Sequence, residues 1–103
     1  HQFVRIGKNS MIGGMAGVNQ DVLPFSMVEG TPARLLSINA VGLKRANFKP
    51  NVRAAIKKAF KIISQPDLNT SQSLEKIKSE VEMHEEINYL LDFIKNSTRG
   101  VTK

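Results

Sequence analysis

The side chains able to do polar chemistry are few, and their types narrow what the chain can do. Among 103 residues there are two histidines, His1 and His84, and no cysteine. Disulfides and thiolate zinc sites are therefore excluded, and two imidazoles cannot supply a histidine-rich metal site within one chain. The lack of cysteine also permits a cytoplasmic location. The basic residues are the stronger signal. Net charge is +6, and between Gly30 and Pro66 no Asp or Glu interrupts Arg34, Lys44, Arg45, Lys49, Arg53, Lys57, Lys58 and Lys61. Such a field draws anionic partners: nucleic acid, a membrane surface, a phosphorylated ligand or an acidic protein. Its plainer reading is a solvated helix face. Arg53, Lys57 and Lys61 follow an i, i+4, i+8 spacing and share one face of a helix. Aromatic residues make up only 6%, and with no evident stacking platform nucleic acid is the poorest of these partners. No apolar run approaches the roughly 20 residues needed to cross a bilayer, so no integral membrane span is expected.

The elements that must position these residues fall into two halves with different periods. In the first, Ile6-Gly7, Ile12-Gly13 and Val18-Asn19 open three consecutive hexads, and Ser10, Ala16 and Val22 stand four residues after each start. A period of six fits neither an α-helix nor an alternating strand. It fits a parallel β-helix, in which each hexad is one flat face and three faces make a coil. The aliphatic residue points inward and stacks on its copy in the next coil, while the small residue sits beside a corner. Gly7 and Gly13 are expected to relax the backbone near these corners. The pattern opens in mid-repeat, so further coils are expected upstream. It fades at Leu23-Pro24-Phe25, and Val28 to Arg34 reads as a turn leaving the stack, with Pro24 and Pro32 unable to donate ladder hydrogen bonds.

The second half is helical. Ile38 to Ala46 suits a short helix. Val52, Ala55, Ile56, Ala59, Phe60 and Ile63 form the stripe of an amphipathic helix. Pro66 to Asn69 breaks it, and Ser71 or Thr70 is expected to cap the next. Leu74, Ile77 and Val81, then Ile87, Leu90, Leu91 and Ile94, face inward on either side of a join at His84, and Asn96 to Gly100 ends the pattern. The expected architecture is β-helix plus α: residues 1–33 are the last coils of a parallel β-helix, and residues 34–103 are a bundle of three or four short helices.

Five segments occur in a telling order: His1-Gln2-Phe3, Ile12-Gly13-Gly14, Gln20-Asp21-Val22, Asn39-x-x-Gly42-Leu43-Lys44-Arg45 and Ser97-Thr98-Arg99-Gly100. Together they resemble the UDP-N-acetylglucosamine acyltransferases of lipid A biosynthesis, and the resemblance runs along the whole chain. The hexads alone would indicate only the broad class of hexapeptide-repeat transferases. The Asn-x-x-Gly-Leu-Lys-Arg segment joined to this helical tail is far more specific.

The resemblance implies a homotrimer of left-handed β-helices with active sites in the clefts between subunits. It implies transfer of an (R)-3-hydroxyacyl chain from acyl carrier protein to the 3-hydroxyl of UDP-N-acetylglucosamine, with a histidine as general base and no metal or other cofactor. That histidine lies upstream of His1 in the family, so no catalytic residue is expected in this stretch. Gln2, Asn39 and Arg45 match sugar-nucleotide contacts, with His1 in support at the edge of the cleft. A guanidinium suits a diphosphate or a uracil carbonyl because its donors are fixed. Plainer readings stand beside these: Gln2 satisfying backbone at a corner, Asn39 capping the short helix, Arg45 facing solvent. Gly14 matches the position that gauges acyl-chain length by volume, and its lack of a side chain implies a longer chain unless Met15 closes the groove. Acyl carrier proteins are acidic, so Arg53, Lys57 and Lys61 form a candidate docking face. Two departures from the family pattern stand out. Val41 replaces a common Glu and Ala46 a common second Arg, and both are expected to weaken or rearrange nucleotide recognition. The nearest rivals are another hexapeptide-repeat acyl- or acetyltransferase, including the N-acyltransferase of the same pathway, which lacks the Asn-x-x-Gly-Leu-Lys-Arg segment. A non-catalytic trimeric binding module is a further alternative.

Overall fold

The computed structural model describes residues 3–103. The first half is a stack of parallel rungs. Ile6 pairs with Val22, and β1 (Met11–Ile12) pairs with Met27 and Val28 of β2 (Ser26–Glu29), each partner sixteen residues further on. One coil is therefore two residues shorter than three full hexads. This corrects the expected stacking: Val22 is not a corner residue but the inward partner of Ile6. It is fully buried and forms a cluster with Val28 and Ala33, against which Ile12, Ala16 and Val18 pack.

The six-residue period is visible in the backbone. Phe3, Asn9 and Met15 turn successive corners in the left-handed region, with φ of 67, 56 and 66°, and Phe25 repeats the Asn9 corner with φ of 67°. Ser10 and Ser26 close the same corners, each hydroxyl donating to the carbonyl three residues back at 2.8 and 2.7 Å. Gly7 and Gly13 are not among the positive-φ residues, so the expectation that they relax the corners fails. Close approach requires them instead. A Cβ on Gly7 would overlap the main chain of Pro24 in the next coil, and one on Gly13 would lie 3.1 Å from the Glu29 Cβ.

The stack ends in two different ways. After β2 the chain turns through Gly30–Ala33 and returns as β3 (Arg34–Ile38), antiparallel to β2. The turn is thus tighter than expected, because Val28 and Glu29 still belong to β2. On another face the chain's own end supplies the cover. Asp21 pairs in parallel with Val101: the Asp21 N–H donates to the Gly100 carbonyl at 3.0 Å, and the Thr102 N–H donates to the Asp21 carbonyl at 2.7 Å. Val22, one residue on, exchanges its main-chain bonds with Arg5 and Gly7 below. Adjacent residues of a strand face opposite neighbours, so Val101 occupies the rung above Val22.

Four helices follow β3. α1 (Ala40–Arg45) is shorter than expected because Ile38 closes β3 and Asn39 caps the helix. α2 (Pro50–Ile63) starts with Pro50, whose missing N–H costs nothing in a first turn. α3 (Thr70–Glu80) is capped by Asn69 rather than by Thr70 or Ser71. Its carboxamide oxygen accepts from the Gln72 N–H, and the Gln72 side chain accepts from the Asn69 N–H, both at 2.9 Å. α4 (Glu85–Lys95) begins after His84, where the join was expected. The apolar stripes converge as read, with Ile56, Ile77, Ile87 and Leu90 fully buried. Leu23 and Phe25 of the last coil belong to that helical core, whereas Val22, Val28 and Ala33 form a separate cluster inside the coil.

Asp21 ties this junction together. It is 2% exposed. Its carboxylate accepts from the Arg5 main-chain N–H at 2.9 Å and from the Ser97 hydroxyl at 2.8 Å, with Arg5 Nε at 3.4 Å. Arg5 also donates from Nη2 to the Phe93 carbonyl at 2.8 Å and lies 4.3 Å from the Phe93 ring centre. Burial pushes the carboxyl up, but these donors outweigh it and hold Asp21 below its ordinary 3.8. A carboxylate lowered in this way stabilises the fold fully above the unfolded value and loses that contribution as pH falls through the folded one. Asp21→Ala should cost about 2 kcal/mol of unfolding free energy at neutral pH, because it orphans charge-assisted donors. The gap between variant and parent should narrow below about pH 4. Urea unfolding at pH 7 and at pH 3 measures both.

Candidate functional site

The short helix α1 is bounded by two of the candidate nucleotide contacts. Asn39 begins it and Arg45 ends it. Asn39 is 5% exposed, and its side chain is already engaged. Its Oδ1 accepts from the Gly42 N–H at 3.2 Å, and its Nδ2 donates to the Asn9 carbonyl at 3.0 Å. The plainer capping reading therefore describes what Asn39 does within this chain. Arg45 is the opposite case. It is exposed and forms no hydrogen bond or ion pair with the described residues. A guanidinium held at the end of a helix, with its donors unspent, is ready for an anionic ligand. Val41 is 54% exposed, and Ala46 is the exposed C-cap residue of the same helix. Neither departure from the family pattern has a packing role. His1 and Gln2 lie outside the described residues.

Gly14 sits at an exposed turn beside β1, and a Cβ placed on it would meet no atom within 4 Å. The neighbouring Met15 is 96% exposed, so it fills no cavity of its own chain. The space at Gly14 is open.

The basic stripe of α2 divides. Arg53 is half-buried and donates from Nε to the Phe48 carbonyl at 3.2 Å, so it is partly committed to the α1–α2 loop. Lys57 and Lys61 are exposed and rim a groove of about 250 Å³ between α2 and β3. Leu35, Leu36, Ile38 and Phe60 give that groove an apolar floor. Sequence reasoning missed this floor because β3 was read as part of a turn and a helix. A second cleft of about 340 Å³, which no motif had marked, opens between Lys8 and Asn9 of the coil and Phe48, Glu86 and Tyr89. Its base is an aromatic cluster, with Phe25 5.8 Å from Phe48 and 6.0 Å from Tyr89 between ring centres. Among the described residues no group of three or more His, Cys, Asp or Glu could hold a metal ion, and no helix is long and apolar enough to cross a membrane.

This fold recurs in solved acyltransferases of a sugar nucleotide. The chain superposes on the UDP-N-acetylglucosamine acyltransferase of Bacteroides fragilis 9343 with a TM-score of 0.96 and 39% identity, covering 100% of this chain and 40% of that one. For the Acinetobacter baumannii protein the values are 0.93 and 34%, with the same coverage. The acyl-[acyl-carrier-protein]–UDP-N-acetylglucosamine O-acyltransferase of Syntrophobacter fumaroxidans is 45% identical over 94% of this chain and 38% of its own length. Residues 21–102 match the family described as UDP-N-acetylglucosamine O-acyltransferase, domain 2. The chain belongs to the UDP-N-acetylglucosamine O-acyltransferase family, and it spans about 40% of the length of relatives such as that of Anaeromyxobacter sp. strain Fw109-5.

The two glycine environments separate cleanly. Gly14→Met should leave unfolding free energy within about 0.5 kcal/mol of the parent, as at other open surface positions. Gly7→Ala should cost about 1–3 kcal/mol, because its methyl group would meet the main chain of the next coil. Denaturant titration of the two variants checks the contrast.

Proposed function

We propose that this chain is the C-terminal part of a cytoplasmic, homotrimeric acyltransferase built on a left-handed β-helix. The enzyme moves an (R)-3-hydroxyacyl chain from acyl carrier protein to the 3-hydroxyl of UDP-N-acetylglucosamine, the first step of lipid A biosynthesis. The observation that carries this reading is the chain-long match to solved family members, a TM-score of 0.96 at 39% identity, with Arg45 standing free where the resemblance requires a nucleotide contact. The general base is a histidine upstream of His1. It takes the proton of the sugar hydroxyl as that oxygen attacks the thioester carbonyl, and the carrier thiol leaves with a proton.

Within this stretch each proposed role has a physical basis. Arg45 offers fixed donors to the diphosphate or the uracil, and Gln2 and His1 are further contacts that the resemblance implies. Gly14 leaves the acyl slot deep. Lys57 and Lys61 receive the acidic carrier, with Arg53 a lesser contributor because Phe48 already holds it. Apolar side chains beside the two lysines would form the core of that contact, with the charges at its rim.

The deciding assay supplies the full-length protein with acyl carrier thioesters and UDP-N-acetylglucosamine and follows acyl-sugar formation. Arg45→Ala should raise the KM for the sugar nucleotide about 10- to 100-fold, the effect of losing a charge-assisted contact. Transfer from acetyl-CoA alone would favour the rival transferase class. In the same assay Lys57→Glu with Lys61→Glu should raise the KM for the carrier, and the parent enzyme's KM should climb with salt. A carrier KM indifferent to both would remove the docking role. Gly14→Met should shift the preferred acyl chain to a shorter one. An unchanged preference would remove Gly14 from the acyl slot.

A further inference from the structure

We propose that Asn39 and Gly42 are positioning residues, which together transmit the location of the coil corners to Arg45. The inference rests on the reading of Arg45 as a nucleotide contact and assigns it a supporting apparatus. Asn39 is bonded to two stacked corners at once. Its main-chain N–H donates to the Phe25 carbonyl at 2.7 Å, and its Nδ2 donates to the Asn9 carbonyl at 3.0 Å. Asn9 and Phe25 are the equivalent left-handed corners of consecutive coils, with φ of 56 and 67°. The remaining end of the carboxamide, Oδ1, takes the Gly42 N–H at 3.2 Å and so fixes the first turn of α1. One residue, through its main-chain N–H and its carboxamide, thus joins two rungs of the stack to one helix.

Gly42 makes this possible. A Cβ at that position would overlap the Asn39 carboxamide itself. Any other residue must push the amide aside and break either the cap or the bond to Asn9. The six residues of α1 are too few to hold a helix on their own. Leu43, fully buried, anchors its middle in the core, but among the described residues only Asn39 ties its start to the coils by hydrogen bonds. Arg45, three residues beyond Gly42 and without a bond of its own to the described residues, inherits its place from that tie. A carboxamide suits this because it donates and accepts at the same time. A carboxylate at position 39 would keep the cap and lose the donor.

The test uses the full-length protein with UDP as the probe, titrated calorimetrically against Asn39→Asp, Gly42→Ala, Arg45→Ala and the Asn39→Asp/Arg45→Ala pair. Amide hydrogen exchange over residues 40–46 is measured in parallel. Asn39→Asp and Gly42→Ala should each weaken UDP binding roughly five- to tenfold, the scale set by losing one hydrogen bond. Exchange over α1 should quicken in both, and the double variant should bind UDP no more weakly than Arg45→Ala alone. Additive losses in the double variant would mean that Asn39 touches the nucleotide itself, which overturns the proposal. So would unchanged binding in Asn39→Asp and Gly42→Ala alongside a weakened Arg45→Ala. If Arg45→Ala binds UDP like the parent, the reading of Arg45 falls and the positioning role falls with it. Asn39→Asp, which keeps the cap, decides the matter should Gly42→Ala fail to fold.

Discussion

A stack of parallel coils cannot simply stop, because its last rung leaves a row of main-chain N–H and C=O groups with no partner. The rest of this structure follows from how that edge is closed. On one face β2 is covered by β3, which runs antiparallel to it. On another, the rung containing Asp21 and Val22 is covered by Val101, a residue almost at the end of the chain. The whole helical tail lies between those two covers in sequence. Closing the edge therefore pulls β3, four helices and the terminus onto the top of the coils, and Leu23 and Phe25 then find their place in the helical core. Asp21 is buried at this junction because it joins three things: the rung below through Arg5, the end of α4 through Ser97, and the terminal strand through its main chain.

The same closure sets the candidate site. β3 delivers the chain to Asn39 directly above the Asn9 and Phe25 corners, where it meets their carbonyls. α1 starts there because Asn39 caps it, and it ends after six residues with Arg45 in solvent. α2 then packs against β3, which places Lys57 and Lys61 over Leu35 and Leu36 rather than over empty solvent. The cations on this face are thus positioned by the way the β stack terminates.

Much of this was legible in the residues, and the failures have physical reasons. The hexads at Ile6, Ile12 and Val18 announced the coils, and the stripes of α2 and α4 announced their buried faces, because both signals repeat within a few residues. The sixteen-residue coil was not legible, since a shortfall of two residues changes which side chains stack without changing any local motif. The corners misled for a related reason. Phe3, Asn9 and Met15 adopt positive φ although glycine does so at lower cost, while Gly7 and Gly13 serve close packing between coils. β3 was hidden because its residues are half-exposed and follow no clean alternation. The terminal strand was hidden because a two-residue pairing across some eighty positions leaves no pattern near either partner. At the site, Arg45 could be named from the family motif, but the division of labour within the basic stripe could not. Whether Arg53 is free depends on the Phe48 carbonyl, and main-chain acceptors are invisible in a sequence.

Val41 and Ala46 acquire meaning from the same geometry. Both are exposed on or beside α1, and neither side chain belongs to the buried clusters. Their identities therefore cost the fold little and reflect what approaches this helix from outside. The resembled family often carries a carboxylate at the first position and a second guanidinium at the other. Here Arg45 stands with Lys44 as its only cationic neighbour on the helix. A site with fewer charged contacts has less redundancy. When two arginines grip an anion, a shift of one can be absorbed by the other, whereas a single fixed fork loses its bidentate geometry with a small displacement. On the proposed reading of Arg45 the placement of α1 becomes more consequential, and that placement comes down to one asparagine, whose carboxamide and main-chain N–H are braced against the Asn9 and Phe25 carbonyls of the coil.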